Sequence, residues 1–143
     1  MRWILIEEIV EIRKGRRSLV RSRVPSSDVF PGFLAVEMMA QTGGLLLGLE
    51  SDFSQNLVFA KIDSVTFLKA LEPGDLVEVE AWSDQLKSEG AWIQARVIKD
   101  SETAVEGTIL LMNAGPLLPG RGSITFHRGF MDHYSVRSKI RHD

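Results

Sequence analysis

The chain has 143 residues and a mass of 16.0 kDa, with 44% hydrophobic and 25% charged residues. That is one ordinary domain, able to remove roughly 68–70% of its unfolded surface from water, and not a disordered chain. It has no cysteine, which excludes disulfides, thiolate nucleophiles and cysteine-ligated zinc, and a net charge of −2 with pI near 5.9, a weak fit to nucleic acid.

In chain order, Trp3–Ile12 is rich in Ile, Leu and Val and reads as a strand. Glu7, Glu8 and Glu11 interrupt its apolar run, unlike a signal peptide. Lys14-Gly15 is a turn signal, and Arg17–Val24 completes a hairpin over residues 2–24. Residues 25–28, Pro-Ser-Ser-Asp, form a loop. Pro31-Gly32 then opens a run of helix formers reaching Leu49, apolar on nearly every side and so expected to be buried. Glu37 and Gln41, spaced i, i+4, share one face and are the only strongly polar side chains in its first three turns. Gly43-Gly44 reads as a close approach of helix to sheet that also admits an apolar ligand.

Four strands follow: 57–68 with a kink near Asp63, then 76–82, 91–99 and 103–112, separated by turns at 72–75, 88–90 and 100–102. Asp63 and Asp75 read as strand-end and turn residues that bond local amides. The order β-β-α-β-β-β-β predicts an α+β fold, an antiparallel sheet wrapped around one long central helix. The domain is placed at residues 1–113. Residues 114–143 are read as a tail with a short helix near Met131–Lys139. The longest strongly apolar stretch, Gly43–Leu49, is too short to cross a bilayer, so a cytoplasmic protein is expected.

Charge is uneven. Residues 1–23 carry seven basic and three acidic side chains, 24–119 five basic and fourteen acidic, and 120–143 five basic and two acidic. The basic ends are as consistent with solvated hairpins and tails as with a docking surface for an acidic partner.

Pro31-Gly32-Phe33-Leu34-Ala35-Val36-Glu37-Met38-Met39-Ala40-Gln41 resembles the P-G-V-L-x-[IV]-E-x-[ML]-A-Q helix start of the bacterial (3R)-hydroxyacyl-acyl-carrier-protein dehydratases. Phe59-Ala60-Lys61-Ile62-Asp63, then Phe67, then Pro73-Gly74-Asp75 resembles the F-A-x-I-D-x-x-x-F…P-G-D block of the same family. The resemblance covers residues 3 to about 112 and implies a hotdog fold. It also implies a homodimer or a trimer of dimers with sites between subunits, and no metal or organic cofactor. The substrate it implies is a thioester of acyl carrier protein or coenzyme A.

Dehydration of a 3-hydroxyacyl thioester needs a base, an acid for the departing hydroxyl and donors for the enolate oxygen. The resemblance implies Glu37 as acid and Gln41 as its orienting neighbour. It implies backbone N–H groups near Gly32 and Phe33 as thioester donors, with Arg23, Phe59 and Ala60 beside the substrate. Lys14, Arg16, Arg17 and Arg21 are implied as a carrier-protein patch. The family's histidine, in a G-H-F-P-x-x-P loop before the helix, has no counterpart: setting Val24-Pro25 against the loop's F-P puts Arg23, which cannot act as a base, at its place, setting the first hairpins together leaves the loop largely deleted between Phe30 and Pro31, and His127, His133 and His142 all lie in the tail. The tail histidines are expected to be solvated, with His127 swung back to the helix as the alternative.

Three readings stand: an acyl-thioester dehydratase or divergent relative in fatty-acid or related lipid or polyketide synthesis; a hotdog thioesterase using a single helix carboxylate; and a non-catalytic acyl-carrier-binding or scaffold subunit that has lost the base, with a heteromer in which a partner chain supplies the histidine as a further form.

Overall fold

The computed structural model describes residues 4–115 and 126–142; Trp3 and residues 116–125 lie outside the described residues. The elements are β1 (Glu8–Arg13), β2 (Arg17–Arg23), α1 (Pro31–Glu50), β3 (Asn56–Phe67), β4 (Leu76–Trp82), β5 (Gly90–Lys99), β6 (Glu102–Gly115), α2 (Arg128–His133), a 3-10 turn (Val136–Lys139) and β7 (Ile140–Arg141). One sheet runs in the order β3-β6-β5-β4-β2-β1-β7. All pairs are antiparallel except β1 with β7, which is parallel. The sheet wraps α1, as the hotdog resemblance implies.

α1 packs against β1 through β6. Met38, Met39, Leu45 and Leu46 are fully enclosed, as are Ile9, Val20, Val79, Ile93 and Ile109 of the strands facing them. Burying a side chain of this size stabilises the fold by about 1.5–3 kcal/mol each. The buried hydroxyls Thr42 and Ser18 are satisfied: Thr42 donates to the Met38 carbonyl at 2.7 Å and Ser18 to the Thr42 carbonyl at 2.5 Å. By length and composition α1 would suffice to cross a membrane, but the sheet encloses most of it.

The hairpin differs from its expected extent at its start. Pairing with β2 begins around Glu7, whose N–H donates to the Arg21 carbonyl at 3.0 Å. Leu5 instead gives its N–H to Gln41 Oε1 at 2.8 Å, while its carbonyl accepts from Ser22 Oγ. Residues 4–6 therefore leave the ladder and lie against the helix. In β3, register shifts fall between Phe59 and Lys61 and between Ile62 and Ser64, next to the kink expected at Asp63. Asp75 accepts from the Glu72 N–H at 2.7 Å and from Lys99 Nζ at 2.9 Å. The Lys99 ammonium, then the Glu72 amide, hold its carboxyl below the ordinary carboxylate value.

The segment read as a tail docks on the sheet where it is described. β7 pairs with β1 (Ile12 with Ile140, Arg13 with Arg141), Val136 is fully buried, and Tyr134 Oη donates to the Ile6 carbonyl at 2.5 Å. Burial raises the Tyr134 phenol above its ordinary range.

The two adjacent glycines of α1 do different work. A Cβ at Gly43 would stand 2.7 Å from Ile93 Cγ2, in a fully buried contact. A Cβ at Gly44 would meet only Leu57 Cδ1, at an ordinary 3.7 Å. Gly43→Ala is therefore expected to lower stability by about 1–3 kcal/mol through overpacking. Gly44→Ala is expected to be neutral or to gain up to about 1 kcal/mol of helix propensity. Denaturant unfolding of the two variants checks this; equal effects would contradict the assignment.

Candidate functional site

Glu37 and Gln41 project from the same face of α1 into a cavity of about 220 Å³. Its walls are apolar: Ile4 and Ile6 ahead of β1, Ala40 and Gly44 on the helix, Leu57 to Phe59 on β3, and Phe126 and Phe130. Gly44 leaves a gap in the helix face that any larger side chain would fill.

Gln41 holds the polar pair in place. Its Oε1 accepts from the Leu5 N–H at 2.8 Å, and its Nε2 donates to Glu37 Oε1 at 3.2 Å. With the amide oxygen fixed by a main-chain donor, the Nε2 group must face the carboxylate. Glu37 is half-buried. Among the described residues its second carboxylate oxygen has no protein partner, and it is the one titratable side chain on the cavity wall. The arrangement presents one oriented carboxylate, with a free oxygen, to an apolar slot.

The other expected site residues fall elsewhere. Phe59 lines the cavity, whereas Ala60 is exposed on β3 and does not. Gly32 is buried and lines a separate groove of about 200 Å³ with Phe30, Phe67, Leu71 and Val105. The Phe33 side chain is 64% exposed, and its N–H is already closed on the Phe30 carbonyl at 2.9 Å. The expectation of an unpaired donor there is corrected: the first turn tightens, leaving the Gly32 N–H as the candidate at this helix end. Arg23 reaches Glu7 at 3.3 Å and the Gly74 carbonyl at 3.3 Å, outside the cavity.

The basic patch is largely neutralised. Arg17 bridges Glu11 at 2.8 Å and Glu80 at 3.0 Å, and Arg21 meets Glu8 at 3.2 Å. Arg13 and then Arg17 hold the Glu11 carboxyl below its ordinary value. Lys14 and Arg16 stay exposed on the β1–β2 turn, without a carboxylate partner among the described residues.

His127 caps α2: its Nδ1 accepts from the Phe130 N–H at 3.2 Å. In that geometry the acceptor lone pair is occupied and the ring is no base for the cavity. His133 and His142 are exposed. No group of three His, Cys, Asp or Glu side chains able to hold a metal occurs among the described residues.

Among the cavity residues that the sequence did not point to are Phe126 and Phe130. The signal was present: Phe126, Phe130 and Tyr134 recur every four residues, a helical aromatic stripe inside a segment read as a tail.

A FabA-like domain model matches residues 19–108. The 3-hydroxyacyl-[acyl-carrier-protein] dehydratase FabZ of Caldicellulosiruptor bescii is 32% identical over 120 residues, covering 76% of this chain and 86% of that protein. FabZ of Thermomicrobium roseum is 30% identical over 126 residues, covering 80% and 85%. Among solved structures, the dehydratase heterocomplex ApeI:P from Xenorhabdus doucetiae superposes with a TM-score of 0.67 at 15% identity, covering 79% of this chain and 84% of that one. A hypothetical thioesterase protein from Streptococcus pneumoniae does so with 0.61 at 17% identity, covering 76% and 91%. With its long α1 helix, wrapped sheet and matching helix start, the chain belongs to the FabA-like, FabZ-type dehydratase family and has its hotdog fold.

Proposed function

We propose that the protein dehydrates 3-hydroxyacyl thioesters, with Glu37 as the group that carries the proton. The observation that carries this reading is the Gln41-oriented carboxylate facing an apolar slot, in a chain whose FabZ relatives are dehydratases. With no histidine base in the cavity, one carboxylate serves both halves of the elimination. Glu37 takes the proton from the carbon next to the thioester carbonyl. The electrons of that C–H bond form the new double bond as the C–O bond to the hydroxyl breaks. The departing oxygen recovers the proton from Glu37 and leaves as water. The free carboxylate oxygen does this work while Gln41 holds the other.

The developing negative charge on the thioester oxygen needs donors that this chain's cavity lacks. The Gly32 N–H, at the positive end of a twenty-residue helix, is suited to it, but Gly32 lines a different groove. β3 connects the two. Leu57–Phe59 line the Glu37 cavity, Phe67 lines the Gly32 groove, and β3 is an edge strand. Its apolar side chains are open, with Val58 47% and Ile62 49% exposed. Antiparallel pairing of two copies about the middle of β3 sets Leu57–Phe59 of one chain beside the Phe67 end of the other. That pairing completes two sites per homodimer and covers the open edge; a trimer of dimers is compatible with it. Lys14 and Arg16 supply the cations that an acidic carrier protein would meet, which favours acyl carrier protein over coenzyme A, in the cytoplasm.

A second reading, in which a partner chain supplies the histidine, is favoured by the lack of a histidine among the described cavity residues and by the heterocomplex named for the Xenorhabdus neighbour. The isolated chain discriminates the two.

With purified protein and 3-hydroxyacyl thioesters, the expected product is the enoyl thioester. Glu37→Gln should lower its rate by about a hundredfold to ten-thousandfold while the protein stays folded. Release of free thiol instead would mean a thioesterase, and no product from the isolated chain would shift the reading to the heteromeric form. Sedimentation should give about twice 16.0 kDa or a multiple of that dimer. Ile62→Arg, at the centre of the β3 edge and outside the cavity, should yield monomers that have lost turnover with them; a fully active monomer would contradict the shared site.

A further inference from the structure

We infer that the C-terminal segment is the floor of the acyl slot and restricts the protein to short acyl chains, butanoyl to octanoyl. The inference rests on the acyl-thioester reading of the Glu37 cavity and goes beyond it in naming what the cavity accepts. The segment lies outside residues 19–108, the part matched by the family model.

The cavity has a direction. On α1 its lining runs from Glu37 to Gly44, seven residues and about 10 Å of helix. One further turn along, at Gly48, the helix backbone meets the Phe126 ring: a Cβ at Gly48 would stand 2.6 Å from Phe126 Cε2 and Cζ. Gly48 thus lets the rim of the ring approach the helix closely, and the ring closes the end of the slot away from the carboxylate. Phe130 stands beside it, with ring centroids 5.9 Å apart. The slot is open to solvent on its β3 side, and its volume of about 220 Å³ is below the ~300–1,000 Å³ of clefts that bury a drug-sized ligand.

The floor is clamped rather than hinged. Phe126 packs edge-on against Phe53 at 5.1 Å, and Phe130 against Tyr134 at 4.9 Å. Tyr134 is tied to the Ile6 carbonyl, Val136 is fully buried, and Arg137 reaches Asp52 at 2.7 Å. β7 then joins β1, with the Lys14 N–H donating to the Arg141 carbonyl at 2.8 Å. A long acyl chain would have to displace an aromatic stack held at both ends, so the slot ends at Phe126.

The test measures binding of saturated S-(2-oxoalkyl)-pantetheine thioethers whose tails match butanoyl to dodecanoyl chains. These probes can neither eliminate nor hydrolyse, so the length profile is read independently of turnover. In the full chain, affinity should rise with length to octanoyl and fall at dodecanoyl. Phe126→Ala should move the break outward, raising the dodecanoyl-to-butanoyl affinity ratio at least tenfold; Phe126→Leu, which keeps most of the packing, should move it in the same direction if the alanine variant does not fold. An unchanged profile in either folded variant, a wild-type protein that takes dodecanoyl as well as octanoyl, or no acyl binding at all overturns the inference. A break at octanoyl in a protein that forms no enoyl product leaves the floor standing and removes the dehydratase reading instead.

Discussion

The enclosure of α1 is the constraint from which the site follows. A twenty-residue helix that is apolar on nearly every side has no stable place except inside a curved sheet. Enclosure forces every polar group on it to be answered. Thr42 is answered by the Met38 carbonyl, and Gln41 by the Leu5 main chain and by Glu37. Glu37 is answered on one oxygen only. Its other oxygen faces a gap that exists because Gly44 has no side chain and because residues 4–6 leave the β1 ladder. A half-satisfied carboxylate at an apolar cavity is costly to stability, and costs of this kind concentrate where chemistry is done.

One chain holds this site in two separated pieces. The proton carrier lines one cavity, Gly32 at the helix end lines another groove, and β3 runs from one to the other as an exposed edge. A second copy paired along that edge therefore solves two problems together. It removes unpaired strand hydrogen-bonding groups and apolar surface from water, and it brings a donor to the thioester oxygen. The absence of a histidine before α1 does not undo this geometry. It removes a second proton-handling group, so the remaining carboxylate has to act on both sides of the elimination.

Much of the fold was legible because its signals are local. Pro31 at the helix start, the alternation in β4 and β5, and the turn residues between strands each state their structure within a few positions. Glu37 and Gln41 were legible as a pair from their i, i+4 spacing. What Gln41 binds was not, because Leu5 lies 36 positions away and contributes only a backbone N–H, which carries no sequence signature. Arg17 and Arg21 looked like a free cationic patch because their partners Glu80 and Glu8 are neighbours only across the sheet. The Phe33 amide looked available because a tightened first turn cannot be read from composition. Phe126 and Phe130 were missed for a different reason. Gly and Pro residues from 114 to 120 read as the end of the domain, and the helical spacing of the aromatics beyond them was passed over.

A crystal structure of the protein with a bound S-(2-oxoalkyl)-pantetheine thioether whose tail matches a hexanoyl chain tests the central claim most directly. The account predicts a dimer paired through β3. The two carbons next to the carbonyl-equivalent atom should lie beside the free oxygen of Glu37, and the acyl tail should run along α1 toward Phe126. A ligand lying away from Glu37, or a Glu37 carboxylate walled off from it, would contradict the account.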